Sequence, residues 1–343
     1  MKRFYNHLVS IDSHEKLIMQ KGKLCTENGE SSYDIVLGIP IMLPKTVKAK
    51  WHRELIEIIL WEHTDEIERI YKELGKTDNY AEIYTKHLKK IFSTKQEILE
   101  AFEKYSAEAA DKWIAENYSE TITGAQKREF LSLSLKRNGR KRTKTKINAT
   151  GIFEIYPIFS KSVNINSPET ILELGTGAGG GTAAIALQMT ENTVLFTVDI
   201  GFSCLGNAVG IRKYQKKNII PVCVNFWYLP FADESFDAVC TYNGLDESRE
   251  IERTVEQVSR VLKKGGTFTV MSREKAYMRQ GKVLEPFGFA HEEITEIMSK
   301  CRAYSDIDSL TILCRNYGLI LKKQEKFDRG NNLISVLSQF VKE

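Results

Sequence analysis

The sequence predicts an α/β fold, with a seven-stranded sheet carrying helices on both faces behind an N-terminal, mostly helical block. Three observations predict it. From about Asn148 onward, short β-branched runs alternate with helical stretches, the pattern of a parallel sheet with helices on its faces. Between about residues 48 and 135, apolar residues recur at helical spacing instead. A glycine-rich turn, Gly175 to Gly181, directly follows the first of the β-branched runs.

Taken in order, the chain divides into three expected units, 1–47, 48–147 and 148–343. The first carries a strand-turn-strand around Asn28-Gly29 and Tyr33-Asp34-Ile35-Val36-Leu37. In the second, Trp51, Leu55, Ile58, Ile59, Glu62 and Glu66 follow at helical spacing with the apolar members on one face, and Gly75 ends the run. Thr94 followed by Glu97 is a capping box for a further helix bearing Ile98, Leu99, Phe102 and Tyr105. In the third, strands are expected at 170–174, 193–198, 219–224, 236–240 and 267–271, and two more, around 319–326 and 333–340, close the sheet.

Hydrophobic residues make up 42% of the 343 and charged residues 27%, the profile of a folded globular protein. No apolar run approaches the roughly 18 residues that cross a bilayer, and Ile35 to Leu43 is short and interrupted by Pro40. The charged start has no apolar stretch behind it, so a cytoplasmic location without membrane attachment is expected. The six cysteines, Cys25, Cys204, Cys223, Cys240, Cys301 and Cys314, form no C-x-x-C pair, so no metal site is expected. The net charge of +4 matters less than its distribution, because Lys136 to Lys146 holds seven basic residues and no acid. Such a run suits a solvated linker, or phosphates and nucleic acid.

The stretch Ile171-Leu172-Glu173-Leu174-Gly175-Thr176-Gly177-Ala178-Gly179-Gly180-Gly181-Thr182 is the most informative, with a helix expected to begin near Gly181 or Thr182. Glycines accept positive φ in a tight turn, and without Cβ they let a ligand lie against the backbone. Gly175, Gly177 and Gly180 also satisfy the dinucleotide fingerprint G-x-G-x-x-G, and Asp199 ends the next strand as a ribose-binding acid would, so a NAD-dependent oxidoreductase is a rival reading. Glu173 argues against it. A carboxylate beside the loop would repel a pyrophosphate and attract the ammonium group of a methionine moiety.

Glu173-x-Gly175-x-Gly177-x-Gly179 resembles the first motif of class I S-adenosylmethionine-dependent methyltransferases, and Asp199 matches that family's ribose-binding acid. Asn225 to Asp237 resembles the stretch from the adenine-binding turn to the fourth strand, and Ser259 to Thr267 resembles the turn into the fifth. The resemblance covers roughly residues 150 to 340. It implies a Rossmann-like methyltransferase sheet, S-adenosylmethionine as cofactor, and Glu173, Gly175, Thr176, Gly177, Gly179, Asp199, Ile200, Asn225, Phe226, Thr241 and Tyr242 as cofactor-binding residues. Asn225 stands where the family usually has Asp, and its amide oxygen is a weaker acceptor for the adenine amino group. Tyr33 to Pro44 is similar to the tail of small zinc-ribbon-like domains found beside some bacterial methyltransferases. Their cysteine pairs are missing, so the segment is expected to be metal-free.

Methyl transfer is an in-line displacement that needs alignment above all, and a general base only when the nucleophile carries a proton that must leave. Substrate-side residues are expected after the fourth strand, where Tyr242 and Asn243 are the candidates and Asp246 and Glu247 follow. Asp237 is expected to be a turn or cap residue, Gly265 and Gly266 to serve a turn, and His291 to lie on the surface at a helix start. The helical block is expected to act as a lid. The leading acceptor is a small molecule. RNA held by the basic run is a second candidate acceptor, and a non-catalytic cofactor-binding module is a further reading of the same chain.

Overall fold

The computed structural model describes residues 2–36, 38–43, 80–104, 155–163, 169–177, 179–245, 248, 251–273, 283–300, 307–328 and 334–343, with 56, 59–60, 63–66, 69–70 and 73 in the helical block. Its strands are β1 (Ile18–Gln20), β2 (Lys23–Cys25), β3 (Ser32–Val36), β4 (Ile39–Met42), β5 (Thr170–Leu174), β6 (Val194–Asp199), β7 (Asn218–Val224), β8 (Phe236–Tyr242), β9 (Leu262–Arg273), β10 (Leu319–Asp328) and β11 (Ile334–Lys342). Among the described residues its helices are α1 (Tyr80–Ile91), α2 (Lys95–Lys104), α3 (Ile155–Ser162), α4 (Gly180–Gln188), α5 (Phe202–Gln215), α6 (Ile251–Val261), α7 (His291–Lys300) and α8 (Ile307–Asn316).

The seven expected strands are present in one mixed sheet, whose order is β1-β2-β3-β4-β7-β6-β5-β8-β9-β11-β10. The segment from β4 to β9 is parallel throughout. β11 departs from that pattern, running antiparallel between β9 and β10. The reason is topological: only residues 329–333 separate β10 from β11, too few for a crossover, so the two strands form a hairpin.

A second departure enlarges the sheet to eleven strands. β4 pairs parallel with β7, Ile41 opposite Cys223 and Met42 opposite Val224, and β1 to β3 follow it as an antiparallel meander. Tyr5, Leu8, Ile11, Leu17, Leu24, Tyr33 and Met42 then share one apolar core with Leu172, Phe196, Val222 and Phe268. Among the described residues, these N-terminal apolar side chains thus join the core of the sheet. By pairing with β7, β4 takes up the backbone that would otherwise form an open sheet edge there.

Strand side chains alternate between faces, and the two sides are distinct. Leu172, Leu174, Phe196, Val198, Val239 and Val270 face α6 and α8. Ile171, Leu195, Ile219, Ala238, Cys240 and Met271 face α3, α4 and α5. The same two-residue period sends Glu173, Thr197, Asp199 and Tyr242 to the α3–α5 side.

The helical block has a third core. Ile56, Ile59, Leu60, Ile70, Leu88, Ile98 and Phe102 pack with Val283, Leu284, Phe289 and Ile294, which follow the carboxyl end of β9. Two joints reinforce the contact, from Thr85 Oγ1 to the Val283 carbonyl at 3.2 Å and from Lys95 Nζ to Glu293 at 2.6 Å. The Thr94 capping box forms as expected: Glu97 N donates to Thr94 Oγ1, and Thr94 N donates to Glu97 Oε2 at 3.1 Å. The expected unbroken helical run does not form, because residues 64–66 are non-helical and Thr64 Oγ1 accepts from Glu66 N at 3.0 Å. A threonine hydroxyl that takes up a backbone N–H in this way favours a cap over continuation. Trp51, Leu55, Ile58, Glu62, Gly75, Tyr105, the Lys136 to Lys146 run and Cys301 lie outside the described residues.

Candidate functional site

The loop between β5 and α4 lies at the carboxyl end of the sheet, and its shape follows from its residues. Gly175, Gly177 and Gly179 all have positive φ, at 87°, 46° and 80°. A Cβ on Gly175 would also stand 3.1 Å from the Gly244 Cα, so the loop touches the segment after β8 backbone to backbone. Gly175 N and Thr176 N donate to the Val198 carbonyl at 2.9 and 3.2 Å, which fastens the turn to β6.

Asp199 fixes the loop from the side. Its Oδ2 accepts from Gly177 N at 2.9 Å and its Oδ1 from Gly201 N at 2.7 Å. Each carboxylate oxygen has lone-pair capacity beyond one donor. Asn207 on α5 holds the same loop, its Nδ2 donating to the Gly177 carbonyl at 2.8 Å.

Glu173 sits below. The residue is 1% exposed. Thr182 Oγ1 donates to Oε2 at 2.5 Å and Thr197 Oγ1 donates to the same oxygen at 2.6 Å. Oε1 faces Gly181, where a Cβ would stand only 2.7 Å away. Burial raises the Glu173 pKa to about 7; the two hydroxyls oppose that rise and the charge of Asp199 adds to it. The neighbouring Cys240 thiol is pushed well up, by burial and by Glu173. Thr176 is also turned inward, its hydroxyl 2.6 Å from that of Thr197. Glu173 and Thr176 form a polar clamp under the loop, and neither side chain is at the surface of the cleft.

The other expected residues fall into two groups. Ile200, Asn225, Phe226 and Tyr242 are half-buried around the strand ends, and the Phe226 ring lies 3.7 Å from where a Gly175 Cβ would be. Asn225 Oδ1 accepts from Trp227 N at 3.1 Å, capping the turn Phe226–Tyr228. Thr241, in contrast, is fully buried and donates to the Leu174 carbonyl at 2.8 Å, binding β8 to β5. Asn243 adopts φ 55°, a left-handed conformation Asn tolerates, and its Oδ1 is buried with no hydrogen-bond partner among the described residues. Asp237 takes up Thr170 N at 2.9 Å and Lys263 Nζ at 2.6 Å, a structural role. Gly265, at φ 74°, lies where the register of β9 against β8 shifts, and His291 is exposed at the start of α7. Asp246 and Glu247 lie outside the described residues.

Sequence reasoning missed Tyr156, Phe159, Thr182, Thr197, Asn207 and Gly244. Thr182 and Thr197 carried a signal, as hydroxyls within apolar runs beside a buried acid. Tyr156 and Phe159 carried none, because α3 itself was not expected. Among the described residues no group of three or more His, Cys, Asp or Glu side chains could hold a metal, and no helix is long and apolar enough to cross a membrane.

Residues 172–270 match the family described as methyltransferase domain. Ubiquinone/menaquinone biosynthesis C-methyltransferases from Pectobacterium carotovorum and Pectobacterium atrosepticum are each 30% identical over 135 residues, 38% of this chain and 53% of theirs. One from Salmonella arizonae is 28% identical over 147 residues, 41% of this chain and 55% of its own. The chain thus spans about half the length of the curated relatives it matches. Among solved structures, a chain from the complex of the Haloferax volcanii Trm112 methyltransferase activator with a methyltransferase is 20% identical with a TM-score of 0.44, covering 62% of this chain and 97% of that one. The YcgJ protein of Bacillus subtilis is 15% identical with a TM-score of 0.43, covering 55% of this chain and 97% of its own.

Proposed function

We propose that the chain, whose residues 172–270 match the methyltransferase domain family, binds S-adenosylmethionine at the β5–α4 loop in the manner of a class I methyltransferase and passes its methyl group to a small-molecule acceptor. The observation that carries this reading is the loop itself: three left-handed glycines clasped by Asp199 and undercut by Glu173. Two carboxylates at one turn disfavour a pyrophosphate and favour a ligand with a cationic end. The residues fit the cofactor in kind. Asp199 keeps acceptor capacity for ribose hydroxyls, Phe226 offers an apolar face beside Gly175, and the Asn225 oxygen keeps a second lone pair after capping its turn. When bound, S-adenosylmethionine supplies a methyl group already activated by a sulfonium.

The chain's own residues then have to hold, orient and exclude water, which alone can be worth roughly 7–11 kcal/mol. The helical core, which packs with Val283, Leu284, Phe289 and Ile294, would serve as a cover for the acceptor. The buried Asn243 Oδ1 suits an acceptor's N–H or O–H. The names of the relatives describe biosynthetic C-methylation, which favours a small acceptor over RNA.

Separate calorimetric titrations with S-adenosylmethionine, S-adenosylhomocysteine and NAD test the cofactor. Saturable uptake of the first two is expected. Uptake of NAD with neither of the others would refute the reading.

A further inference from the structure

A second feature of the loop concerns Gly180, the first residue of α4. A Cβ there would lie 2.5 Å from Tyr156 Cζ and 2.6 Å from its hydroxyl oxygen. Glycine leaves room for this ring without any shift, so the third glycine of the apparent dinucleotide fingerprint sits against a tyrosine brought in by α3. The Tyr156 ring in turn lies 4.4 Å from that of Tyr242 at the end of β8, tilted by 31°. Phe159, fully buried, backs Tyr242 edge-on at 5.5 Å. Tyr156 and Tyr242 themselves remain half-exposed.

The pair stands over the Glu173 clamp, since the Tyr242 Cβ and Glu173 Oε1 both approach Gly181, at 3.6 and 2.7 Å from a Cβ built there. Ring faces carry negative quadrupole charge and attract cations, and the acid beneath has the same preference. A helix start by itself attracts anions. This one is instead flanked by the two rings, with the Glu173 carboxyl group buried beneath, and Gly179 at its N-cap adds no side-chain hydrogen bond. A ligand that is anionic at one atom and cationic a few bonds away would satisfy both preferences.

We propose that Tyr156 and Tyr242 form the wall of the cleft that recognises the positive sulfur end of S-adenosylmethionine, and that Tyr156 is a cofactor-binding residue. This rests on the cofactor reading above and adds a specific claim to it. The rings discriminate the cofactor from S-adenosylhomocysteine, which lacks the sulfonium charge and is otherwise nearly the same shape.

The test is the ratio of the two dissociation constants, measured by calorimetry on the full chain for wild type, Tyr156→Phe and Tyr156→Leu, with folding followed by circular dichroism. Tyr156→Leu should reduce the preference for S-adenosylmethionine by about 3- to 30-fold, the span of a partly desolvated cation–π contact. It should leave S-adenosylhomocysteine affinity nearly unchanged, and Tyr156→Phe should keep the wild-type ratio. Equal weakening of both ligands, or an unmoved ratio, overturns the inference alone. Failure of wild type to take up either ligand overturns the cofactor reading and this inference with it. If Tyr156→Leu does not fold, Tyr242→Leu takes its place: a reduced ratio supports the wall, and an unmoved one overturns it.

Discussion

The ends of β5 and β6 each present an acid to the same glycine loop, yet the two acids live in different chemistry. Glu173 is sealed under α4, held by hydroxyl donors, and titrates near 7. Asp199 stands at the side of the loop and takes up backbone N–H groups. Amide donors on either side of a turn force the backbone into one shape, whereas hydroxyl donors can rotate. The difference teaches that one acid sets the form of the cleft and the other sets the potential beneath it. Alike in sequence, the two positions separate only once the fold assigns their donors.

The comparison can be broken at three points. The largest effect is expected for Asp199→Ala. It strands two loop amides that now make charge-assisted hydrogen bonds, each worth about 1.5–3 kcal/mol, so urea unfolding should show a loss of about 3–5 kcal/mol. A loss under about 1 kcal/mol, the net worth of an ordinary hydrogen bond, would show that the loop holds its shape without this acid.

Glu173→Gln should act in the opposite direction. A carboxyl group raised from 4.5 to about 7 by folding contributes its full stability below pH 4.5, and that contribution is lost as pH rises to 7. At pH 8 the wild type therefore buries a charge that the variant does not, and the variant should be more stable by up to about 3 kcal/mol, taking 1.36 kcal/mol per unit. At pH 4 the two should converge. The flanking groups that bear on this are Asp199 and the Cys240 thiol. Denaturant midpoints across that range check it, and a difference independent of pH would sink the assignment.

Gly180→Ala sharpens the picture more gently. The added methyl meets the Tyr156 ring at 2.5 Å, an overpacking that typically costs about 1–3 kcal/mol, and thermal unfolding should register it. No change in midpoint would mean that α3 yields freely.

The strands were legible because short continuous β-branched and apolar runs, which suit strands buried on both faces, are local properties. All seven expected strands stand within a few residues of their places, and β9 begins earlier only because α6 runs directly into it at Leu262. The loop was legible for the same reason, since glycines with positive φ declare themselves. α3 was not: Ile155-Tyr156-Pro157-Ile158-Phe159 is short, aromatic and proline-bearing, and its proline is tolerated only because it falls in the first helical turn. What α3 brings to the site therefore stayed hidden. The β4–β7 pairing was hidden too, because parallel partners far apart in sequence leave no periodic mark. The inward turn of the Thr176 and Thr241 hydroxyls was not legible, because motif position does not reveal which way a side chain turns.

That parallel pairing bears on the order in which the molecule can be assembled. Ile41 and Met42 must wait for Cys223 and Val224, more than half the chain later, before their backbone groups find partners. Non-local pairings of this kind form slowly, since a long loop must close before any contact rewards it. Until then an apolar ribbon and an open sheet border coexist on one nascent polypeptide, each able to capture the matching piece of a neighbouring copy.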